Sequence, residues 1–257
     1  LKGLVLFGFC VVSIFLLGAG LNNTSYAYAE EGAIDSGPFS EADANAHPVN
    51  GWDSKKEHYY ENGQQVCSKE IYDAKDKNWY WIDTNGSVAR NKDVYLQSNG
   101  GKWVRYDTAG HMVKGEDYRY GAWYYFDTTT GAMAKGITHV SSNGGKWVYY
   151  DLTTGKMLYG ERYVNYDQSH AGWYHFDENI GAMSYGFYFN SPQHKWVYYD
   201  HASGQMLYGE QLINGHWYDF DESTGAMQYG FVHLSKSQKW VFYDRRMGWM
   251  LYGERPI

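Results

Sequence analysis

Trp123-Tyr124-Tyr125-Phe126-Asp127-Thr128-Thr129-Thr130-Gly131-Ala132-Met133-Ala134-Lys135-Gly136 is the stretch whose reading decides the fold. Four aromatic residues run into an aspartate, a short polar loop and a glycine. A methionine follows two residues on, and a second glycine three beyond that. The pattern predicts a β-hairpin, because aromatic strand formers lead into a polar turn and Gly131 tolerates the positive φ such a loop needs.

The same phrase returns along the chain. Trp-x-x-(aromatic or Ile)-Asp recurs from Trp79, Trp103, Trp123, Trp147, Trp173, Trp196, Trp217 and Trp240. The loop glycine follows at Gly86, Gly110, Gly131, Gly155, Gly181, Gly204, Gly225 and Gly248. Two residues later stand Val88, then Met112, Met133, Met157, Met183, Met206, Met227 and Met250, so seven of the chain's eight methionines share one register. Closing glycines fall at Gly115, Gly136, Gly160, Gly186, Gly209, Gly230 and Gly253, with Asn91 in the first copy. That regularity marks a repeat architecture.

Two kinds of repeat alternate. Those at Trp79, Trp123, Trp173 and Trp217 read Trp-Tyr-x-(Phe or Ile)-Asp; the others read Lys-Trp-Val-x-(Tyr)-Asp from Lys102, Lys146, Lys195 and Lys239, and close on Gly-Glu. One hairpin is too small to bury a face, so stability must come from stacking neighbours into a continuous core. The expected fold class is all-β, a solenoid of stacked β-hairpin repeats, preceded by a signal peptide and a flexible leader.

The domain order follows. Lys2 precedes an apolar run from Leu4 to Leu17, and Ala27-Tyr28-Ala29 offers a small-x-small cleavage site. Residues 1–29 therefore have the layout of a secretory signal peptide, with an apolar run too short for a comfortable membrane span. Residues 30–55 are too polar to repay ordering and are expected to be a leader. Residues 56–78, with Tyr59-Tyr60-Glu61-Asn62-Gly63, look like a worn capping repeat, and 79–257 hold eight hairpins. Signal cleavage would remove Cys10 and leave Cys67 as a half-buried thiol without an internal disulfide. The chain opens on Leu1, and Gly253-Glu254-Arg255-Pro256-Ile257 matches the lead-in Gly209-Glu210-Gln211-Leu212-Ile213. It stops where another hairpin would begin, which predicts a fragment of a longer protein.

Composition narrows the function. Aromatic residues make up 19% of the chain, more than a core of this size needs, so many rings must lie near the surface. The formal charge is −7, or −8 after cleavage removes Lys2, and no basic cluster interrupts it. Nucleic acid is a poor partner for such a surface. Scattered histidines show no metal-ligand spacing, and no catalytic triad, phosphate loop or dinucleotide fingerprint appears. No cofactor, metal site or catalytic residue is expected. The repeated Asp is accounted for by Asx hydrogen bonding to its own loop. The recurring Glu, in several copies, fits a structural or ligand-rim role.

Strand alternation sorts the aromatics. With each Trp counted as the first position, the second and fourth, such as Tyr124 and Phe126 or Val148 and Tyr150, are always apolar or amphipathic and should form the interior. The third position holds Trp81, Arg105, Tyr125, Tyr149, His175, Tyr198, Asp219 and Phe242, a variety that predicts a partly wet side shared with the Trp. Rings on that side could form shallow pockets between hairpins, with Met and with Tyr159, Tyr185, Tyr208, Tyr229 and Tyr252 along the walls. Such a cage attracts a quaternary ammonium by about 0.5–2 kcal/mol per ring, and flat rings also stack on sugars. The plainer reading, that each Trp packs on the next hairpin, stands beside it.

Trp-Tyr-Tyr-Phe-Asp…Gly-Ala-Met…Gly resembles the cell-wall-binding repeat family, which includes choline-binding modules and the glucan-binding repeats of Gram-positive surface proteins. The resemblance covers about residues 79–253. It implies a β-solenoid with ligand pockets between neighbours, secreted to the cell wall and often joined to wall hydrolases or glucosyltransferases. By position it points to Trp103, Trp123, Trp147, Trp173, Trp196, Trp217 and Trp240 as ligand-binding residues. Beside them stand Tyr125, Tyr149 and Tyr198, with Met133, Met157, Met183, Met206 and Met227, and with Phe187 and Phe231 as third walls. Choline-binding repeats usually carry Trp after the closing Gly, whereas this chain has Glu116, Ile137, Glu161, Phe187, Glu210, Phe231 and Glu254 there. The partner implied is a bacterial cell-wall polymer: teichoic-acid choline, peptidoglycan or glucan. Stable membrane insertion after signal cleavage is not expected. The function expected is non-catalytic wall binding; the alternatives are the targeting part of a hydrolase or glucosyltransferase, and a host-facing adhesin or structural rod.

Overall fold

The computed structural model describes residues 47–97, 100–165 and 167–253. The expected signal peptide and most of the expected leader fall outside the described residues. Two compact units divide the chain, residues 1–113 and 114–257.

In the first unit a small three-stranded sheet joins β1 (Gly51–Trp52), β2 (Tyr59–Glu61) and β3 (Gln64–Gln65). It starts inside the stretch expected to be leader. Two hairpins follow, β4 (Lys69–Asp73) with β5 (Asn78–Ile82) and β6 (Lys92–Leu96) with β7 (Lys102–Tyr106). β4 lies in the segment read as a cap, yet it is the first strand of the first Trp hairpin. Cys67 is disulfide-bonded.

The second unit holds six more hairpins: β8 (Gly115–Arg119) with β9 (Ala122–Phe126), β10 (Gly136–Val140) with β11 (Lys146–Tyr150), and β12 (Gly160–Val164) with β13 (Gly172–Phe176). The series continues through β14 (Gly186–Asn190) with β15 (Lys195–Tyr199), β16 (Gly209–Ile213) with β17 (His216–Phe220), and β18 (Gly230–Leu234) with β19 (Lys239–Tyr243). Tyr120-Gly121 and Asn214-Gly215, all at positive φ, make two-residue turns whose twist suits paired strands.

The hairpin therefore begins at the closing glycine and ends on the Trp strand, one element earlier than the sequence phrase implies. After the Trp strand the loop returns only as a single bridge, Phe126 to Met133 in the first copy of this unit and Tyr150 to Met157 in the next. The closing Gly136, at φ 76°, turns the chain away before a second ladder can form.

Each of the eight hairpins is a separate two-stranded sheet, and an isolated hairpin of that size is marginal in water. Backbone bonds between successive hairpins come from the methionine. Met157 N–H donates to Trp123 C=O at 2.8 Å, and Met183 to Trp147, Met206 to Trp173, Met227 to Trp196 and Met250 to Trp217 repeat the contact. Met112 to Trp79 does the same in the first unit. The next loop then covers the methionine side chain. A Cβ added at Gly181, itself at φ 66°, would come within 2.5 Å of Met157 Sδ. The second and fourth strand positions are buried throughout, Val241 excepted, as alternation predicts.

The third position departs from expectation. Arg105, Tyr149, His175 and Tyr198 are buried, not wet. The segment after each methionine doubles back over this position: Leu158 N–H donates to Tyr149 C=O, Ser184 to His175 and Leu207 to Tyr198. Burial thus follows distance from the hairpin turn more than the face of the strand, and it is the Trp near the turn that stays exposed.

Two substitutions test this seating. Met157→Ala should cost about 2–5 kcal/mol through the cavity it leaves. Gly181→Ala should cost about 1–3 kcal/mol, from overpacking and an unfavourable φ. Urea denaturation of both variants reads the loss; an unshifted midpoint for Gly181→Ala would mean that the loop does not rest on the methionine.

Candidate functional site

Each repeated Asp builds the loop that seats on the preceding methionine. Asp127 Oδ1 accepts from Thr129 N–H at 3.1 Å and from Thr130 N–H at 2.6 Å, and Asp151, Asp177, Asp200, Asp221 and Asp244 repeat the pattern. These bonds, led by the backbone N–H of Thr130, hold the Asp127 carboxyl below the usual carboxylate range. The role is structural, as the Asx reading implies.

Each Trp except Trp217, which faces Leu212, leans on the ring opposite it across its own hairpin. Tyr118 with Trp123, His139 with Trp147, Tyr163 with Trp173, and Phe189 with Trp196 have centroids 5.1–5.6 Å apart. Cross-strand aromatic pairs contribute about 0.5–1 kcal/mol each and fix the indole. The indoles stay open to solvent. Trp103, Trp123, Trp147, Trp173, Trp196 and Trp217 are 38–47% exposed, and Trp240 is 69% exposed.

Two clefts of the second unit share one register. A cleft of about 230 Å³ is lined by Ile137, Trp147, Tyr174, Met183 and Tyr185, with Ser169, His170, Ala202 and Ser203 at its polar edge. Another of about 190 Å³ is lined by Glu161, Trp173, Met206 and Tyr208, with Gln193, Lys195, Ser223 and Thr224. Each takes the residue after a closing glycine, the Trp of the same hairpin, and the Met and Tyr two apart from the next repeat. Both lie below the volume of a typical drug-sized pocket, so they fit a head group more than an extended ligand.

The residue types predicted from the sequence divide on this geometry. Trp147 with Met183, and Trp173 with Met206, come together in the clefts. Tyr149 packs on Phe176 at 5.9 Å and Tyr198 on Phe187 at 4.8 Å, both inside the core. Tyr125 is half-buried and stacked 6.4 Å from Tyr150. All five candidate methionines lie beneath the next loop glycine; Met157, Met183, Met206 and Met227 are buried there and Met133, under Gly155, is half-buried. Phe187 and Phe231 remain exposed, each with its edge on a neighbouring ring. Tyr174, Gln193, Lys195 and the loop hydroxyls were not among the candidates. Only the recurring Lys before Trp hinted at one of them, because loop residues reach the cleft from a repeat further along the chain.

The recurring glutamates face buried tyrosines of the following hairpin. Tyr199 O–H donates to Glu161 Oε1 at 3.1 Å, and burial followed by the charge of Glu161 pushes its phenol pKa up. Tyr106, Tyr150 and Tyr243 are buried with no hydrogen-bond partner of good geometry, beside Glu70, Glu116 and Glu210 whose charges act in the same direction.

A third cleft, of about 420 Å³, gathers Glu210, Asp219, Glu222 and Lys236. Glu210 and Asp219 stand directly opposite each other on β16 and β17, an arrangement that disfavours two charges.

Residues 96–136 and 189–231 match the family model of the choline-binding repeat. Among solved structures the chain is similar to choline-binding protein F from Streptococcus pneumoniae, at 27% identity and a TM-score of 0.60, over 76% of this chain and 61% of that one. A structure of that protein in the presence of a peptidoglycan analogue, a tetrasaccharide-pentapeptide, matches at 26% identity and a TM-score of 0.58, over 76% and 61%. The match thus spans about 61% of the length of these relatives. CbpJ from Streptococcus pneumoniae shares the fold at 22% identity and a TM-score of 0.61, over 81% and 82%. No curated protein matches the chain. The resemblance read from the Trp, Gly and Met register is borne out over residues 96–136 and 189–231, which match the choline-binding repeat.

Burial first, then Glu210, Glu222 and Asp221, push the Asp219 carboxyl up to about 6, against the opposing pull of Lys236. A carboxyl raised from 3.8 favours the folded state at pH below 4, and that contribution is lost as pH rises through 6. Asp219→Asn should therefore stabilise the protein by about 1–3 kcal/mol at neutral pH. The gain should shrink towards zero near pH 4, and thermal melts at the two pH values check the difference.

Proposed function

We propose that this chain is a non-catalytic cell-wall-binding module, secreted to the bacterial surface, that holds choline groups of teichoic acid in the clefts between its hairpins. The observation that carries the reading is the shared register of the Trp147 and Trp173 clefts, each with an exposed indole, a thioether and a tyrosine around a head-group-sized space. Cation–π attraction supplies about 0.5–2 kcal/mol per ring, so a single cleft is a weak site. Repetition along one chain raises the effective concentration and makes attachment to a polymer firm. The family match and the likeness to choline-binding protein F support choline over peptidoglycan or glucan as the group held. Among the described residues no helix is long and apolar enough to cross a membrane.

Sedimentation of the purified chain with choline-bearing walls tests the reading. Free choline at about millimolar concentration, the range expected of weak single sites, should release the chain, and glucan fragments should not. Trp147→Ala combined with Trp173→Ala should lower the bound fraction while leaving the thermal melt near that of the parent. Release by glucan alone would move the assignment to a sugar ligand; binding to host cells and not to walls would favour an adhesin.

A further inference from the structure

The two clefts differ at one wall. Ile137 closes the Trp147 cleft, whereas a carboxylate, Glu161, closes the Trp173 cleft. Glu161 is held in place by neutral donors. Asn190 Nδ2 donates to its Oε2 at 3.1 Å, and Tyr199 O–H to its Oε1 at 3.1 Å. Across the hairpin it faces His175, a buried imidazole whose pKa is lowered by burial and whose Nδ1 lies 2.8 Å from Ser184 Oγ. Lys195 lines the same cleft, but its ammonium donates to the Thr224 carbonyl. Among the described residues no cationic side chain stands within salt-bridge distance of Glu161.

Its counterpart Glu116 is compensated. The Ser142 hydroxyl donates to Glu116, and Lys146 Nζ lies 3.8 Å from its Oε1. The Glu161 carboxylate is thus a fixed negative charge, oriented by two hydrogen bonds, on the rim of a cleft walled by Trp173, Met206 and Tyr208. A carboxylate in that setting favours a cation that needs no hydrogen bond from it, because its lone pairs are already partly used.

We propose that the two clefts discriminate differently: the Glu161–Trp173 cleft selects a permanently charged quaternary ammonium, while the Ile137–Trp147 cleft accepts a group of the same shape with much less regard to charge. This rests on the proposed function and deepens it, by assigning charge selection to one residue in one cleft. The alternation of repeat types would then give the chain two classes of site. One reads charge and shape together; the other depends mainly on shape and on the ring quadrupole of Trp147.

The test compares choline with its uncharged isostere, 3,3-dimethylbutan-1-ol, on the full chain. Indole N–H resonances of Trp147 and Trp173, assigned from Trp→Phe variants, report each cleft separately. At Trp173 choline should bind about tenfold more tightly than the isostere, a difference equivalent to about 1.4 kcal/mol. At Trp147, where only cation–π attraction separates the two ligands, the gap should be clearly narrower than at Trp173. Glu161→Gln should collapse the gap at Trp173 and leave that at Trp147 unchanged. The isostere's own affinity at Trp173 serves as the folding control, because it should survive the substitution. An undiminished gap at Trp173 in Glu161→Gln, or equal gaps in both clefts of the parent, would overturn the charge-selection proposal while leaving choline binding intact. If neither indole responds to either ligand, the reading of the clefts as ammonium sites falls as well.

Discussion

One backbone hydrogen bond recurs between successive hairpins: the N–H of a methionine donates to the carbonyl of the preceding repeat's tryptophan. Every hairpin is its own two-stranded sheet, so no ladder of strand pairing carries through either unit. Stacking must therefore depend on this bond, on side chains buried at the second and fourth strand positions, and on the loop glycine that rests against the methionine sulfur. The glycine is required twice at that point, for its positive φ and for the missing Cβ. The aspartate that opens the loop holds the turn in the shape that brings the glycine there.

The same contact makes the clefts. A tryptophan whose carbonyl is fixed by the next repeat cannot swing its backbone, and its indole is steadied from the other strand by a tyrosine, histidine or phenylalanine, or at Trp217 by Leu212. It is left half-exposed, beside the methionine that binds it and the tyrosine two residues further on. Structure and ligand site are therefore not separate features added to one another. The register that stacks the hairpins also places a thioether, a phenol and an indole around a space the size of a head group, and repeats it at successive hairpins.

The alternation of repeat types has a physical counterpart in the glutamates. Each stands at the start of a hairpin of one kind, beside the buried tyrosine that ends the Trp strand in the hairpin of the other kind. At Glu161 the carboxylate accepts the Tyr199 phenol and ties the two kinds together, whereas Glu70, Glu116 and Glu210 stand beside Tyr106, Tyr150 and Tyr243 without a bond of good geometry. Where the opposing strand residue is His175, the glutamate is left as a directed charge on a cleft. With Asp219 in that place the two acids repel, and burial does the rest.

The eightfold recurrence of Trp, Gly and Met was enough to read an all-β stack of hairpins, because only residues under the same geometric demand recur at such spacing. The interior positions were legible too, since alternation along a strand depends on the local backbone alone. The true start of the hairpin was not, because the sequence phrase is continuous across the loop and only the closing glycine's turn ends the pairing. Neither was the burial of Arg105, Tyr149, His175 and Tyr198: a strand's own pattern says which face a residue is on, not which later segment will cover it. Trp147 and Trp173 could be named as cleft residues from their position in the repeat, but Lys195, Gln193 and the loop hydroxyls reach those clefts from further along the chain. What the sequence determined was the repeat and its register; what only the tertiary structure decided was which copies leave an open cleft, because that depends on contacts between residues 29–38 positions apart, such as Lys195 Nζ and the Thr224 carbonyl of a later loop or Asn190 and Tyr199 on Glu161.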